Sequence, residues 1–481
     1  MTLKSSIQIL MLLMCLLALT FGINFGFSYI LAMAPLVFGL FFLCGTMRKT
    51  HQIATFLIIV CLFAFYMFRP LVLVSNPLLY KFARMNYLTE SMQIEVLLFL
   101  SILNTVAVGI GYALFRFLIP GDTRSFSQSI RDINIKDQVF LLALAILALY
   151  ILVSFVKYIG MASGPGLVRL FELVLFVKFA FALPVAVIVA HLCGVARRSD
   201  RQIKLGLICI AAYVLALFLQ GSKSFLIELA FLFLIYVILF RVNIIIKPKN
   251  IFYISVISVF LIFSFPIVTA VRLVTSDYGP FNFGVAEVVE RLAFMSDFTT
   301  DGNFLLYVLD LMTKRFNGYD GLIVAWNNLY LGGDYFFNIH VMIVNAVSAL
   351  IPMMQSEYAS FGQMISTIFY GFASEDEIIH GGALGHYGIL WVFSGGSFSS
   401  FFLYFIGFLV FWGLVFRFGA RLVGIPLVRT ILFGVLTLAF ALCVNSGNFD
   451  RNLQEVIMLM LQGAVLSIIW SPAPGHTRGI S

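Results

Sequence analysis

Apolar residues run along this chain in long blocks separated by short polar connections. The blocks cover 7–23, 29–46, 54–74, 94–118, 138–159, 171–195, 204–219, 225–243, 251–271, 398–417, 425–444 and 452–470. A helix needs about 20 apolar residues to cross the apolar core of a bilayer, so the pattern predicts about 12 transmembrane helices. Between the ninth and tenth blocks the pattern changes. Leu305, Leu306, Leu309, Met312 and Phe316 recur at helical spacing, and so do Tyr319, Leu322, Ile323, Trp326 and Tyr330. Two amphipathic helices are expected there, joined by a turn at Phe316-Asn317-Gly318, with their apolar stripes packed on the bundle or on the membrane surface. The segment 337–354 is almost long enough to span, but Asn338, His340 and Asn345 suit an interface or cavity better than lipid. It is expected to be re-entrant or surface-lying. The predicted organisation is an N-terminal bundle of about nine helices over 1–271, an external helical loop domain over 272–397, and about three helices with a tail over 398–481.

Composition agrees. Of 481 residues, 62% are apolar and 11% charged, with a mean hydropathy of +1.04. Soluble domains carry about 25% charged residues. An ordinary soluble enzyme, a disordered chain and a disulfide-stapled module are all excluded, leaving an all-α, polytopic integral membrane protein. The six cysteines lie in or beside apolar blocks, show no metal-ligand spacing and read as packing residues. The first block follows a single Lys4, with no good cleavage site after it, and is expected to be an uncleaved span.

Charge sets the expected orientation. Residues 275–384 hold twelve acidic residues and three basic ones, whereas the rest of the chain holds 10 acidic and 27 basic. With the N-terminus in the cytoplasm, the inner loops carry Arg48 and Lys49, Arg116 to Lys136, Arg197 to Lys204, Arg241 to Lys249, and Arg417 and Arg421. This satisfies the positive-inside rule and puts both termini inside. The acidic segment then faces out, into the periplasm if the membrane is a bacterial inner membrane. A crossing by 337–354 would put Arg417 and Arg421 on the wrong side. The basic total does not indicate nucleic acid, because no basic stripe with exposed aromatics accompanies it.

Against that rule, several cations fall at or beyond outer span ends: Arg69, Lys81, Arg84, Lys157, Arg169, Lys223, Arg272 and Arg451. Arg291, Lys314 and Arg315 join them from the long segment. A guanidinium donates bidentate hydrogen bonds and stays charged, so such a group suits a lipid-linked pyrophosphate at this depth. The alternative is local pairing: Arg315 with Asp320 or Asp310, Arg272 with Asp277, Lys223 with Glu228. Lys178 lies deep in an apolar block, where an ionised group requires a cavity or a partner such as Glu172. His380 and His386 bracket a Gly-rich stretch. Either is a candidate general base on a sugar hydroxyl, or a turn histidine bonded to loop carbonyls. Neither a zinc-site spacing nor a nucleotide-binding loop occurs.

Three motifs carry a resemblance. One is Gly221-Ser222-Lys223-Ser224 opening a block. The second is Arg272 just after a block, at the mouth of the long loop. The third is Arg315-Phe-Asn-Gly318-Tyr-Asp320 within it. The chain resembles the Wzy-like O-antigen polymerases, with Lys223 standing where an Arg is often found. The resemblance implies a glycosyltransferase C type of fold and glycosyl transfer at the periplasmic face of the inner membrane. Donor and acceptor would both be oligosaccharides on undecaprenyl pyrophosphate, set in membrane lipid. It implies a catalytic group comprising Arg272, Arg315, Asp320, His380 and His386. Lys223, Arg69, Arg84, Lys178, Arg291 and Arg451 would hold pyrophosphate or glycan. The leaving group is already activated, so no cofactor is expected. Tyr319, Trp326 and Tyr330 are candidates to line a sugar path. O-antigen ligase and polysaccharide flippase are the alternative functions, and docking of a chain-length regulator protein is left open.

Overall fold

A computed structural model describes residues 3–44, 49–76, 88–119, 137–158, 182–193, 200–219, 224–239, 263–264, 266–271, 273–274, 277–278, 284–300, 303–313, 316, 318–329, 344–345, 365, 384–423 and 426–470. Among these residues regular structure is helical throughout, with no strand. The helices are α1 (Leu3–Leu19), α2 (Ile23–Cys44), α3 (Thr50–Ser75), α4 (Glu90–Leu118), α5 (Asp137–Tyr158), α6 (Ala182–Cys193), α7 (Asp200–Leu219) and α8 (Ser224–Leu239). They continue with α9 (Val285–Thr300), α10 (Phe304–Thr313), α11 (Gly318–Asn327), α12 (Gly385–Phe393), α13 (Phe398–Leu422), α14 (Pro426–Ser446) and α15 (Phe449–Trp470). Five of these, α2, α3, α4, α13 and α14, are long and apolar enough to cross a membrane. The fold is that of a helical membrane protein, and the expected twelve crossings compare with these five among the described residues.

Two compact units partition the chain. The first comprises 1–121, 243–413 and 440–454, and the second 122–242, 414–439 and 455–481. The expected external segment, 272–397, therefore belongs to the same unit as the first four helices. In that unit α3 is buried almost throughout, with Phe56, Ile59, Phe65, Tyr66 and Met67 at or near zero exposure, whereas α4 shows one face outward. Two of the polar groups that interrupt this packing find partners on a neighbouring helix. The Tyr29 hydroxyl of α2 donates to the Met67 carbonyl of α3 at 2.7 Å, and Asn104 Nδ2 of α4 donates to the Ala32 carbonyl of α2 at 2.9 Å. Buried amides and hydroxyls without such bonds would be costly in an apolar interior. In the second unit α5, α6, α7 and α8 pack together, and the Tyr236 hydroxyl of α8 donates to the Ile431 carbonyl of α14 at 2.8 Å.

The turn between α10 and α11 falls where the sequence puts it. Phe316 packs against Phe65 and Phe68 of α3, with ring centroids 5.9 and 5.7 Å apart. Of the segment 337–354, only 344–345 are among the described residues. There the Asn345 carbonyl accepts a hydrogen bond from Gln454 Nε2 of α15 at 2.8 Å.

Candidate functional site

Tyr66 and Arg69 stand three residues apart on α3 and so share a face. Pro70 follows at once. It has no N–H to give the Tyr66 carbonyl, so the helical ladder is interrupted at the turn that carries both residues. Against this face come the last turn of α10, the first turn of α11 and the first turn of α12.

Arg69 is fully buried, and two carboxylates meet it. Its Nε donates to both oxygens of Asp320, at 3.1 and 3.0 Å, and its Nη1 donates to Asp310 at 2.7 Å and to the Thr313 hydroxyl at 2.9 Å. Asp310 and Thr313 are a turn apart on α10, and Asp320 is the acidic residue of the first turn of α11, where a negative charge suits the helix dipole. One cation joins α3 to two helices through acids 241 and 251 residues farther along the chain. Charges this dry are tolerated only when paired and hydrogen-bonded, since the desolvation penalty is several kcal/mol per ion, of order the attraction itself.

Beside this triad Tyr66 meets α12. Its hydroxyl lies 3.0 Å from His386 Nδ1 and accepts from the Tyr387 backbone N–H at 3.2 Å. His386 Nδ1 also lies 3.2 Å from the Val444 carbonyl of α14. A carbonyl can only accept, so the Val444 contact calls for a proton on Nδ1, whereas a lone pair there would accept from the Tyr66 hydroxyl. The ring is enclosed by Tyr387, Phe405 and Phe408, and burial pushes its pKa down to about 3. It is neutral at ordinary pH.

Two glycines make this approach possible. Gly385 has a φ of +66°, a left-handed conformation that opens α12, and a Cβ there would lie 2.7 Å from the Tyr66 hydroxyl. At Gly321 a Cβ would come within 2.2 Å of the Leu384 backbone. Farther along, Trp326 of α11 stacks on Trp391 of α12, with centroids 4.7 Å apart and planes at 18°. Phe99 of α4 packs on both, at 4.9 and 5.1 Å.

The expected site residues divide sharply. Asp320 and Arg69 come together, but with each other. Arg69 does not present its guanidinium to a phosphate, because Asp310, Asp320 and Thr313 occupy it. Both oxygens of Asp320 accept from Arg69 Nε, and its expected pairing with Arg315 involves a residue outside the described ones. His386 opens a helix instead of a Gly-rich turn, and a ring this buried and this weakly basic is poorly suited to take a proton from a sugar hydroxyl. Arg291 pairs with Asp277 and lies over the Phe294 ring at 5.9 Å, and the expected pairing of Asp277 with Arg272 involves a residue outside the described ones. Arg451 lies in the first turn of α15. Trp326 is half-buried in an aromatic stack and Tyr319 is fully buried, so neither stands free on a sugar path. Arg84, Lys178, Lys223, Arg272, Arg315, His380 and Tyr330 lie outside the described residues.

Sequence reasoning passed over Tyr66 and Thr313, and weighed Asp310 only as a partner for Arg315. The signal was present. Asp310 interrupts the apolar run of α10, and Arg69 beside Pro70 interrupts that of α3. No cluster of metal-ligating side chains occurs among the described residues. No family model matches the chain, and neither a curated protein nor a solved structure matches it.

Proposed function

We propose that this chain is a multi-pass inner-membrane glycosyltransferase that polymerises oligosaccharide repeat units carried on undecaprenyl pyrophosphate. The acceptor sugar hydroxyl attacks the anomeric carbon of the donor glycan. The bond from that carbon to the pyrophosphate oxygen breaks, the pyrophosphate lipid leaves with the bonding pair, and the hydroxyl proton passes to a base. Twelve crossings with both termini cytoplasmic, and a periplasmic face for the acidic segment, belong to this reading.

The observation that carries it is the anchoring of α10, α11 and α12 to α3 through Arg69 and Tyr66. An ordered helical segment held against apolar spans offers what a lipid-linked glycan requires: a greasy surface for the tail beside a polar rim for the headgroup. Arg69, Asp320 and His386 act in this scheme as positioning residues. Stabilising the developing charge on the leaving pyrophosphate falls to Arg272, at the mouth of the long loop in sequence, and Arg315, between α10 and α11.

The test is the purified protein with a synthetic undecaprenyl-pyrophosphate repeat unit. A ladder of products with release of undecaprenyl pyrophosphate is expected, and Arg272→Ala or Arg315→Ala should collapse chain length while membrane insertion persists. No product from the wild-type chain, or a single transfer of finished glycan to a lipid A core acceptor, would overturn it.

A further inference from the structure

The polarity of α10 is reversed from that of a helix in water. Two residues of its expected buried stripe are outward, Leu305 at 63% and Leu309 at 40% exposed, and the neighbouring Phe304 is 38% exposed. Its inner side carries Tyr307, Val308, Asp310 and Thr313, all buried, with Asp310 bonded to Arg69. A helix in water hides its apolar stripe, whereas a helix in lipid hides its ionised groups and presents hydrocarbon outward.

Two contacts fix the level at which α10 lies. Arg69 is six residues short of the end of α3 at Ser75, about 9 Å along the axis. The 26 residues of α3 make a rod about 39 Å long against an apolar core of about 30 Å. Centred in the bilayer, it holds Arg69 about 4–5 Å inside the apolar layer by the same dimensions, and the direct bond to Asp310 draws α10 toward that level. Independently, the Phe304 ring stacks on Phe263, with centroids 6.2 Å apart and planes at 17°. Phe263 belongs to the apolar block 251–271, well before its end. Both Phe263 and Ile267 are partly exposed and extend the surface of α10.

We propose that the outward face of α10, made by Phe304, Leu305 and Leu309 and continued by Phe263 and Ile267, lies against the acyl chains of the bilayer leaflet at the Ser75 end of α3. The segment expected to form an external domain is thus embedded in lipid at its α10 edge. The occupant is bilayer hydrocarbon, and the inference is independent of the glycosyl-transfer reading.

Benzophenone-alanine placed at 305 or 309 of the full chain tests this in vesicles of phosphatidylethanolamine and phosphatidylglycerol. Ile102, exposed on the candidate span α4, serves as the lipid-facing reference, and Ser397, exposed just before α13, as the aqueous one. On irradiation, mass spectrometry should find lipid adducts at 305 and 309 in yields comparable with Ile102 and severalfold above Ser397. Yields at the Ser397 level, covalent dimers of the chain, or adducts to another protein in native membranes in place of lipid would each overturn the proposal. Unchanged gel-filtration profiles for both substituted chains would show that they fold.

Discussion

Arg69 and Arg291 sit in the same compact unit, and the same phosphate-holding role was expected of both, yet their surroundings are opposite. Arg69 is sealed between three helices with two carboxylates and a hydroxyl. The side chain of Arg291 is 32% exposed and its partner Asp277 46% exposed. The difference lies in where the acids fall along the helices. Asp310 and Asp320 occupy the buried sides of α10 and α11, so their charges must be matched inside, and α3 supplies the match. Asp277 is at the surface, where water matches it already. An arginine out of keeping with the charge rule thus says little by itself, because the register of the facing acid decides whether it is a fastener or a surface pair.

That contrast can be broken most strongly at Arg69. Arg69→Met leaves two carboxylates dry and unmatched by it, and should lower stability by about 3–5 kcal/mol in thermal unfolding in detergent. Adding Asp310→Asn and Asp320→Asn should recover much of the loss; if the triple variant melts lower still, the carboxylates are doing something other than matching Arg69. Next is Gly321→Ala, which leaves every charge in place but drives a methyl into the Leu384 backbone. A loss of about 1–3 kcal/mol is expected, as for overpacked cores. An unchanged melting temperature would mean that α11 and α12 are not held this closely.

His386 sharpens the comparison through pH. Its pKa is about 3 in the folded chain and near 6.5 when unfolded. The folded value is the lower, so this contribution is complete above about pH 6.5 and is lost as pH falls from there toward 3. His386→Gln should flatten the decline in melting temperature between about pH 7 and pH 5. Parallel declines in both chains would show that the ring protonates freely. The smallest effect belongs to Arg291→Ala, expected within about 1 kcal/mol and shrinking with added salt.

Element positions in this fold were largely readable. Apolar blocks found the long helices, and the 3.6-residue period found α10 and α11 with the turn between them. Which way α10 faces was not readable from that period. Its leucine stripe looks like a buried face under aqueous rules, and only the match of Asp310 with Arg69, 241 residues away, reverses it. His386 was found as a residue but not as an environment. Flanking glycines suggest a loop, whereas here Gly385 opens a helix and lets α12 press against Tyr66. Tyr66 itself carries no local signal, being one aromatic among many on α3, and its partner His386 is 320 residues distant.

The stacked indoles of Trp326 and Trp391 give the protein a native chromophore pair. Of its four tryptophans, these two lie face to face across α11 and α12, close enough for their transitions to couple. Near-ultraviolet circular dichroism should therefore register separation of these helices without any attached dye, and stopped-flow recording of that signal would time their parting.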